Sequence, residues 1–307
     1  MTGAIQVSID ILIPIRNESE FLPELLLSLS ELNIPKEMKV RFIFSDNCST
    51  DDSYQILNQS GLKNKVLFKQ KTDIGGIGNF LFLLKNIESD NFMFLDGHDK
   101  LSSNYLVKFR NAYLSGYPNK YMFIGDVTPL IEHKNFFNAS DVQKRFRFKK
   151  SALIRKFQAI LFLYHNSIWH SIFPSDIIDE NTMLSIKTLS LDHLITYIGL
   201  SNYQLRYLDN AIYFRRYRKI LEPDFTHIIA NNKVSRTERA TGETNSLLDD
   251  KNIGFCLSKI EKFEKNKIMR IFFSRLVSMK FKKSGFSFFV FRIVRFIFNF
   301  LFKLNPI

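Results

Sequence analysis

Asp96, His98 and Asp99 put two carboxylates and an imidazole within four residues, directly after the apolar run Phe92-Met93-Phe94-Leu95. Such a trio can share a hard divalent cation, and a cation held there can hold the oxygens of a diphosphate. The apolar run reads as a buried strand, and buried parallel strands deliver side chains to ligands where they leave the sheet. An ordinary Asp/Gly turn is the plainer alternative for the same residues.

Three other segments occupy the same position relative to a strand. Pro14-Ile15-Arg16-Asn17-Glu18 ends a strand-like run over residues 7–15, and Ser45-Asp46-Asn47-Cys48-Ser49-Thr50-Asp51 ends a second over 39–44. Asp73-Ile74-Gly75-Gly76-Ile77-Gly78-Asn79 is a glycine-rich turn entering a helix expected over 78–87. Leu spacing predicts a helix over 19–32, and a further helix is expected over 51–59 with Ser49 or Thr50 as its cap. Short strands are expected over 66–68, 92–95 and 121–124. The alternation predicts a parallel sheet with crossover helices, and four units by residue 96 are too few to close an eight-stranded barrel. The fold class is therefore α/β, an open, doubly wound, mostly parallel sheet flanked by helices, with all four segments at one edge. Singly, Pro14 breaks a strand, Ser49 caps a helix and the glycines make a turn.

Beyond residue 125 the pattern loosens. The basic stretch 144–150, KRFRFKK, reads as a solvated helix face, and Trp169 reads as core, with His170 beside it. A helix is expected over 192–200, then a strand-like pair over 204–208 and 211–215. Arg215 and Arg216 follow, either as bidentate partners for a diphosphate or as a solvated strand end. Residues 223–250 are polar and read as loop and short helix, whereas 265–307 carry ten Lys and Arg and no acidic residue. Within them Arg292, Arg295, Asn299 and Lys303 line one face of a helix whose other side is Phe289, Ile293, Phe296, Ile297, Phe300 and Leu304. That is a cationic amphipathic helix, suited to an anionic membrane interface or to docking its apolar face on the protein's own core, with the membrane favoured by its breadth of Phe and uniform positive charge.

The whole composition agrees with that tail. A formal charge of +13 alongside 32 Phe among 307 residues points to an anionic membrane surface, with nucleic acid not expected as a partner. Cys48 and Cys256 stand far apart in no metal-ligand spacing, which suits a reducing compartment. The N-terminal residues lack the basic start and cleavage site of a signal peptide, and no uncharged apolar run reaches bilayer-spanning length. A cytoplasmic protein, peripheral on the inner face of the cell membrane, is expected. No feature of the sequence speaks to oligomeric state.

The ordered series ILIPIRNE, FSDNCSTDD, DIGGIGNF and FMFLDGHDKLSSNYL resembles the nucleotide-sugar-binding half of the family 2 glycosyltransferases with a GT-A fold. The resemblance covers about residues 7–125 and continues more weakly to about 218. It implies a GT-A domain over 1–220, divided into a nucleotide-sugar-binding half (1–125) and an acceptor half (126–220), with a helical, membrane-associating region over 221–307. By the same resemblance Pro14, Arg16, Asn17 and Glu18 form the first nucleotide-contacting loop, and Asp46, followed by Asn47, binds base or ribose. Asp73, Gly75, Gly76 and Asn79 match the loop that closes over the donor. Asp96, Gly97 and His98 stand for the family's Asp-x-Asp element, followed by Asp99.

His98 departs from that element, since an acidic residue is usual there. An imidazole shifts preference from magnesium toward manganese, with Asp99 as an alternative ligand. Asp192 matches the family's later acidic motif and is expected to act as general base, with His193 as fallback; a carboxylate stabilising a helix N-terminus is the simpler reading. The implied activity is inverting, metal-dependent transfer from a nucleotide sugar, most often a UDP-sugar, to a lipid-linked or cell-surface saccharide, as in lipopolysaccharide or capsule assembly. A non-catalytic, membrane-associated relative that has lost metal binding is one alternative. A nucleotidyltransferase is another, though it would need a Gly- and Lys-containing signature where residues 7–18 offer only Arg16.

Overall fold

The computed structural model describes residues 6–117, 119–131, 151, 154–155, 166–178, 191–217 and 271. The basic stretch 144–150, the polar stretch 223–250, Cys256 and the amphipathic helix over 289–304 lie outside the described residues.

β1 (Val7–Ile15) is buried on both faces, as are most of β2 (Met38–Asp46) and all of β4 (Asn91–Phe94), which is why they read as apolar runs. With β3 (Lys65–Lys69) they form a parallel sheet in the order β3-β2-β1-β4. Helices α1 (Leu22–Ser30), α2 (Ser53–Gln59) and α3 (Gly75–Lys85) make the connections. The chain runs outward from β1 through β2 to β3, then returns to pair β4 on the other side of β1. That reversal opens a crevice at the carboxyl ends of β1 and β4, where open α/β sheets bind their ligands.

After β4 come β5 (Lys100–Leu101), α4 (Tyr105–Gly116) and β6 (Tyr121–Ile131). β7 (Phe173–Pro174) closes the β4 edge antiparallel. α5 (Leu191–Asn202) leads into β8 (Gln204–Tyr217). β5, β8 and β6 form a second sheet, with β8 antiparallel to β5 and parallel to β6. The core between the layers is aromatic: Trp169 stacks on Phe94 at 4.2 Å, Phe92 on Phe173 at 5.5 Å, and Phe80 meets Phe94 edge-on. Trp169 thus belongs to the core.

Several boundaries differ from expectation. The runs 204–208 and 211–215 are one strand, interrupted where Ile124 pairs Tyr207 but Asp126 pairs Ile212. Asn210 lies within this irregular stretch of β8 at a φ of 60°. Gly125 lies at the irregularity because a Cβ there would stand 2.3 Å from the Ala211 carbonyl oxygen. Neither Ser49 nor Thr50 caps α2, which begins at Ser53. The Ser49 hydroxyl instead accepts the Asn17 N–H, and the Thr50 N–H donates to Asn17 Oδ1 at 2.8 Å, so both residues join the exits of β1 and β2. Asp51 receives the Ser53 and Ser19 N–H groups, each at 3.0 Å.

Candidate functional site

Two groups of side chains flank the exit of β1. The first belongs to β2 and the loop before α3. Asp46 closes β2 fully buried, paired in register with Ile15 on one side and Lys69 on the other. Its Oδ2 receives the Ser49 N–H at 3.3 Å, while Oδ1 has no partner among the described residues. A buried carboxylate oxygen left unpaired is costly, and a water or a ligand donor would satisfy it.

Asn47 ties this strand end to the glycine-rich loop. Its Nδ2 donates to Asp73 Oδ1 at 2.7 Å, and its Oδ1 accepts the Ile74 N–H at 2.9 Å. Asp73 also accepts the Gly75 N–H and pairs with Arg16; these contacts, the Gly75 N–H foremost, hold its carboxyl below the ordinary range. Gly75 sits at a φ of 72°, which an L side chain rarely adopts. Gly75 and Gly76 are exposed, and nothing lies within 4 Å of where a Cβ would stand, leaving their backbone open to a ligand. Asn79, about one turn into α3, is buried and donates to the Ser45 carbonyl at 2.9 Å, bracing β2 from below its end. Pro14 is half-buried opposite Ser45.

The second group is the loop Asp96–Asp99. Gly97 lets it press on the β1 exit, since a Cβ there would come within 2.7 Å of Ile15 Cδ1 and 2.9 Å of Glu18 Cγ. Gly97→Ala is expected to cost about 1–3 kcal/mol through overpacking, seen as a lowered urea midpoint with an unchanged slope. An unchanged midpoint would mean that this contact yields freely.

His98 is buried, with Nδ1 3.2 Å from Glu18 Oε1, Nε2 3.8 Å from Asp99 Oδ1, and its ring edge-on to Phe21. Burial disfavours its charged form, but the Glu18 bond and the charges of Asp99 and Asp96 outweigh that and raise its pKa. Asp99 is fully buried; burial foremost, then the neighbouring Asp96 charge, push its carboxyl up to about 7 against the pull of His98, the Tyr213 hydroxyl and the Arg216 N–H.

One donor atom from each of Asp96, His98 and Asp99 lies within 4.8 Å of the others, so the three fit around one cation. The chemistry of the set, two carboxylates and an imidazole, suits manganese or magnesium. Asp96 is the half-buried member on the open side, whereas His98 and Asp99 are held from within. Asp46 ends β2 and Asp96 lies in the loop after β4, the strands on either side of β1.

The structure therefore gathers Arg16, Asn17, Glu18, Asp46, Asn47, Asp73, Asp96, His98 and Asp99 at one edge. Arg216 is drawn to the loop itself: its Nε donates to the His98 carbonyl at 3.1 Å and its Nη2 meets Glu24. Arg215 is half-buried one residue earlier on β8. Asp192 and His193 fall in the first turn of α5, and their side chains lie outside the described residues. Tyr213, which donates to Asp99 Oδ2 at 2.6 Å, was not read from the sequence, because a tyrosine in an apolar strand signals core.

A parallel β3-β2-β1-β4 sheet with helices on its faces and an acidic loop at the end of β4 defines the GT-A class of fold. The model of the family described as Glycosyl transferase family 2 matches residues 10–168, more than half of the chain, and the chain belongs to that family. No curated protein sequence matches it significantly. Among solved structures it is similar to Staphylococcus aureus TarS residues 1–349 in complex with UDP-GlcNAc, with a TM-score of 0.60 and 15% identity over 90% of this chain and 71% of that one. The same protein in complex with UDP gives 0.59 and 16% identity, over 90% and 70%. Against the longer S. aureus TarS structure the TM-score is 0.54 at 17% identity, and this chain covers 91% of itself but 56% of that chain. The likeness at these identities is one of fold.

Proposed function

We propose that the protein transfers a sugar, with inversion, from a nucleotide-sugar donor to a lipid-linked or cell-surface saccharide. A UDP-sugar is the favoured donor, in keeping with the TarS structures that hold UDP-GlcNAc and UDP. The observation that carries the reading is the buried Asp46 carboxylate, with Oδ1 unpartnered among the described residues, on the other side of β1 from the acidic loop. Asp46 accepts hydrogen bonds from the base N–H or ribose hydroxyls, and the Asp73–Gly76 loop covers the donor with open backbone. Asp96, with His98 and Asp99 behind it, faces the diphosphate end. A divalent cation bound there supplies positive charge against the oxygens of the leaving diphosphate. Arg215 adds guanidinium charge on the same side of the site.

Asp192 takes the proton of the acceptor hydroxyl as its oxygen bonds to the anomeric carbon. The bond from that carbon to the diphosphate oxygen breaks with its electron pair, and the configuration inverts. The cationic amphipathic pattern over 289–304 keeps the enzyme at the inner face of the cell membrane, where lipid-linked acceptors lie.

A thermal-shift series with UDP, UDP-sugars and other nucleoside diphosphates, with and without manganese, tests the donor. UDP at a hundredfold its Kd is expected to stabilise the protein by about 2.7 kcal/mol, and more tightly with the cation present. No shift with any nucleotide would defeat the reading. Asp192→Ala is expected to keep that shift while transfer falls at least about 10²-fold; full turnover would remove Asp192 from the mechanism.

A further inference from the structure

β8, a strand of the second sheet, reaches the acidic loop through contacts that donor binding does not require. The chain runs from Asp99 straight into β5, and β5 pairs Lys100 with Phe214 and Leu101 with Tyr213. That register brings the Tyr213 hydroxyl to Asp99 Oδ2 at 2.6 Å and the Arg216 N–H to Asp99 Oδ1 at 2.7 Å. The same hydroxyl accepts the Asp96 N–H at 3.4 Å, so one atom touches both ends of the loop. Arg216 Nε donates to the His98 carbonyl at 3.1 Å, and its guanidinium rests 5.0 Å above the Phe21 ring. The Tyr213 ring is itself fixed, fully buried and stacked on His170 at 4.1 Å. Both Asp99 oxygens are thus held from the β8 side, and Asp96 is left to face outward.

We propose that Tyr213 is a positioning residue: through its hydroxyl, β8 fixes the Asp96–Asp99 loop in the shape that receives a cation and the donor's diphosphate. This rests on the reading of that loop as the diphosphate end of a nucleotide-sugar site. Groups that orient ligands from behind commonly govern metal affinity or activity by roughly 10- to 100-fold when removed. Arg216 assists by gripping the His98 carbonyl.

Tyr213→Phe keeps the ring and its stack on His170 and deletes one oxygen. Three readouts are taken on the full-length protein: amide exchange across 96–99, UDP affinity by calorimetry with and without manganese, and kcat separately from KM. The Asp99 N–H bonds to the Asp96 carbonyl at 3.0 Å within the loop, so its exchange reports on loop order. The variant is expected to exchange faster at 96–99 with β1 and β2 unchanged. It should lose about 10-fold or more of its UDP affinity only when manganese is present, and its loss of activity should lie mainly in kcat. Unchanged exchange over 96–99, or equal loss of UDP affinity with and without manganese, overturns the proposal. Should the wild type bind no nucleotide, the glycosyltransferase site as read here fails, and exchange over 96–99 alone then decides whether Tyr213 orders the loop. Arg216→Lys gives the second variant, since it keeps the charge near Glu24 but loses the planar contact with the His98 carbonyl; it should reproduce the faster exchange more weakly, and wild-type exchange in both variants overturns the brace.

Discussion

Asp96→Asn is expected to lower sugar transfer by roughly 10²- to 10³-fold, the scale found when one preorganised electrostatic contact to a developing charge is removed. The three donors of the acidic loop are not equivalent. Asp99 is fully buried with both oxygens bonded from β8, and His98 is turned onto Glu18. Asp96 alone is half-buried on the open side, and its carboxylate accepts no hydrogen bond among the described residues. Asparagine keeps its shape and discards its charge. Because the Asp96 charge bears on His98 and Asp99 only through space, stability should move by about 1 kcal/mol or less, well short of the loss from breaking a buried ion pair. The decisive measurement is turnover with a UDP-sugar over a manganese titration, alongside thermal unfolding without ligand. Wild-type turnover would remove Asp96 from the site, and a large fall in stability would make it a structural residue instead.

The asymmetry within the loop also explains how much of it was legible from sequence. Asp96, His98 and Asp99 could be read as a donor set because residue type and spacing carry that information. Which of them faces outward could not, since it depends on Tyr213 and Arg216, more than a hundred residues later. β5, with only two residues, and β7, likewise two, are too short to show any period, yet β7 closes the first sheet on β4 and β5 the second on β8. Strands β1, β2 and β4 were legible because burial on both faces leaves an unbroken apolar run. The helix α4 went unread for the opposite reason: its Tyr, Lys, Arg and Asn residues dilute the apolar stripe. Ser49 and Thr50 were read as caps by residue type, and tertiary partners at Asn17 claimed them instead.

Asp10→Ala is the substitution expected to damage stability most, by about 3–5 kcal/mol. An aspartate in the middle of β1 interrupts a strand otherwise made for the core, and the structure shows what it holds. Asp10 is fully buried and receives five hydrogen bonds: two from Arg41 at 2.9 and 2.6 Å, the Glu88 and Ser89 N–H groups at 2.8 and 3.2 Å, and the Ser89 hydroxyl at 2.6 Å. It thereby ties β2 and the turn before β4 to β1, the strand between the two halves of the site. Removing the carboxylate leaves three backbone and hydroxyl donors unpaired and takes from the Arg41 guanidinium its two buried bonds, leaving it the exposed Glu88 carboxylate and the Asn86 carbonyl. A domain of this size would lose about 10 °C or more of Tm. Replacing Asp10 and Arg41 together by apolar residues should cost less than Asp10→Ala alone, because no uncompensated charge remains; an equal or larger cost would refute the ion-pair account.

The pH dependence follows from the same contacts. Burial raises the Asp10 carboxyl, but Arg41, Ser89 and the Glu88 N–H outweigh it and hold it below its ordinary 3.8. Burial raises the Asp51 carboxyl too, but the bonds from Ser53 and Ser19 outweigh it and hold it down to about 2. Both bind protons less readily folded than unfolded, so the unfolded chain takes up more protons as the pH drops and stability falls with it. Their contribution is complete above about pH 5 and disappears between about pH 4 and pH 2. Asp10→Asn should flatten the acid limb of a stability-against-pH curve in that window, measured by urea unfolding. An acid limb as steep as that of the wild type would show that other carboxylates set it.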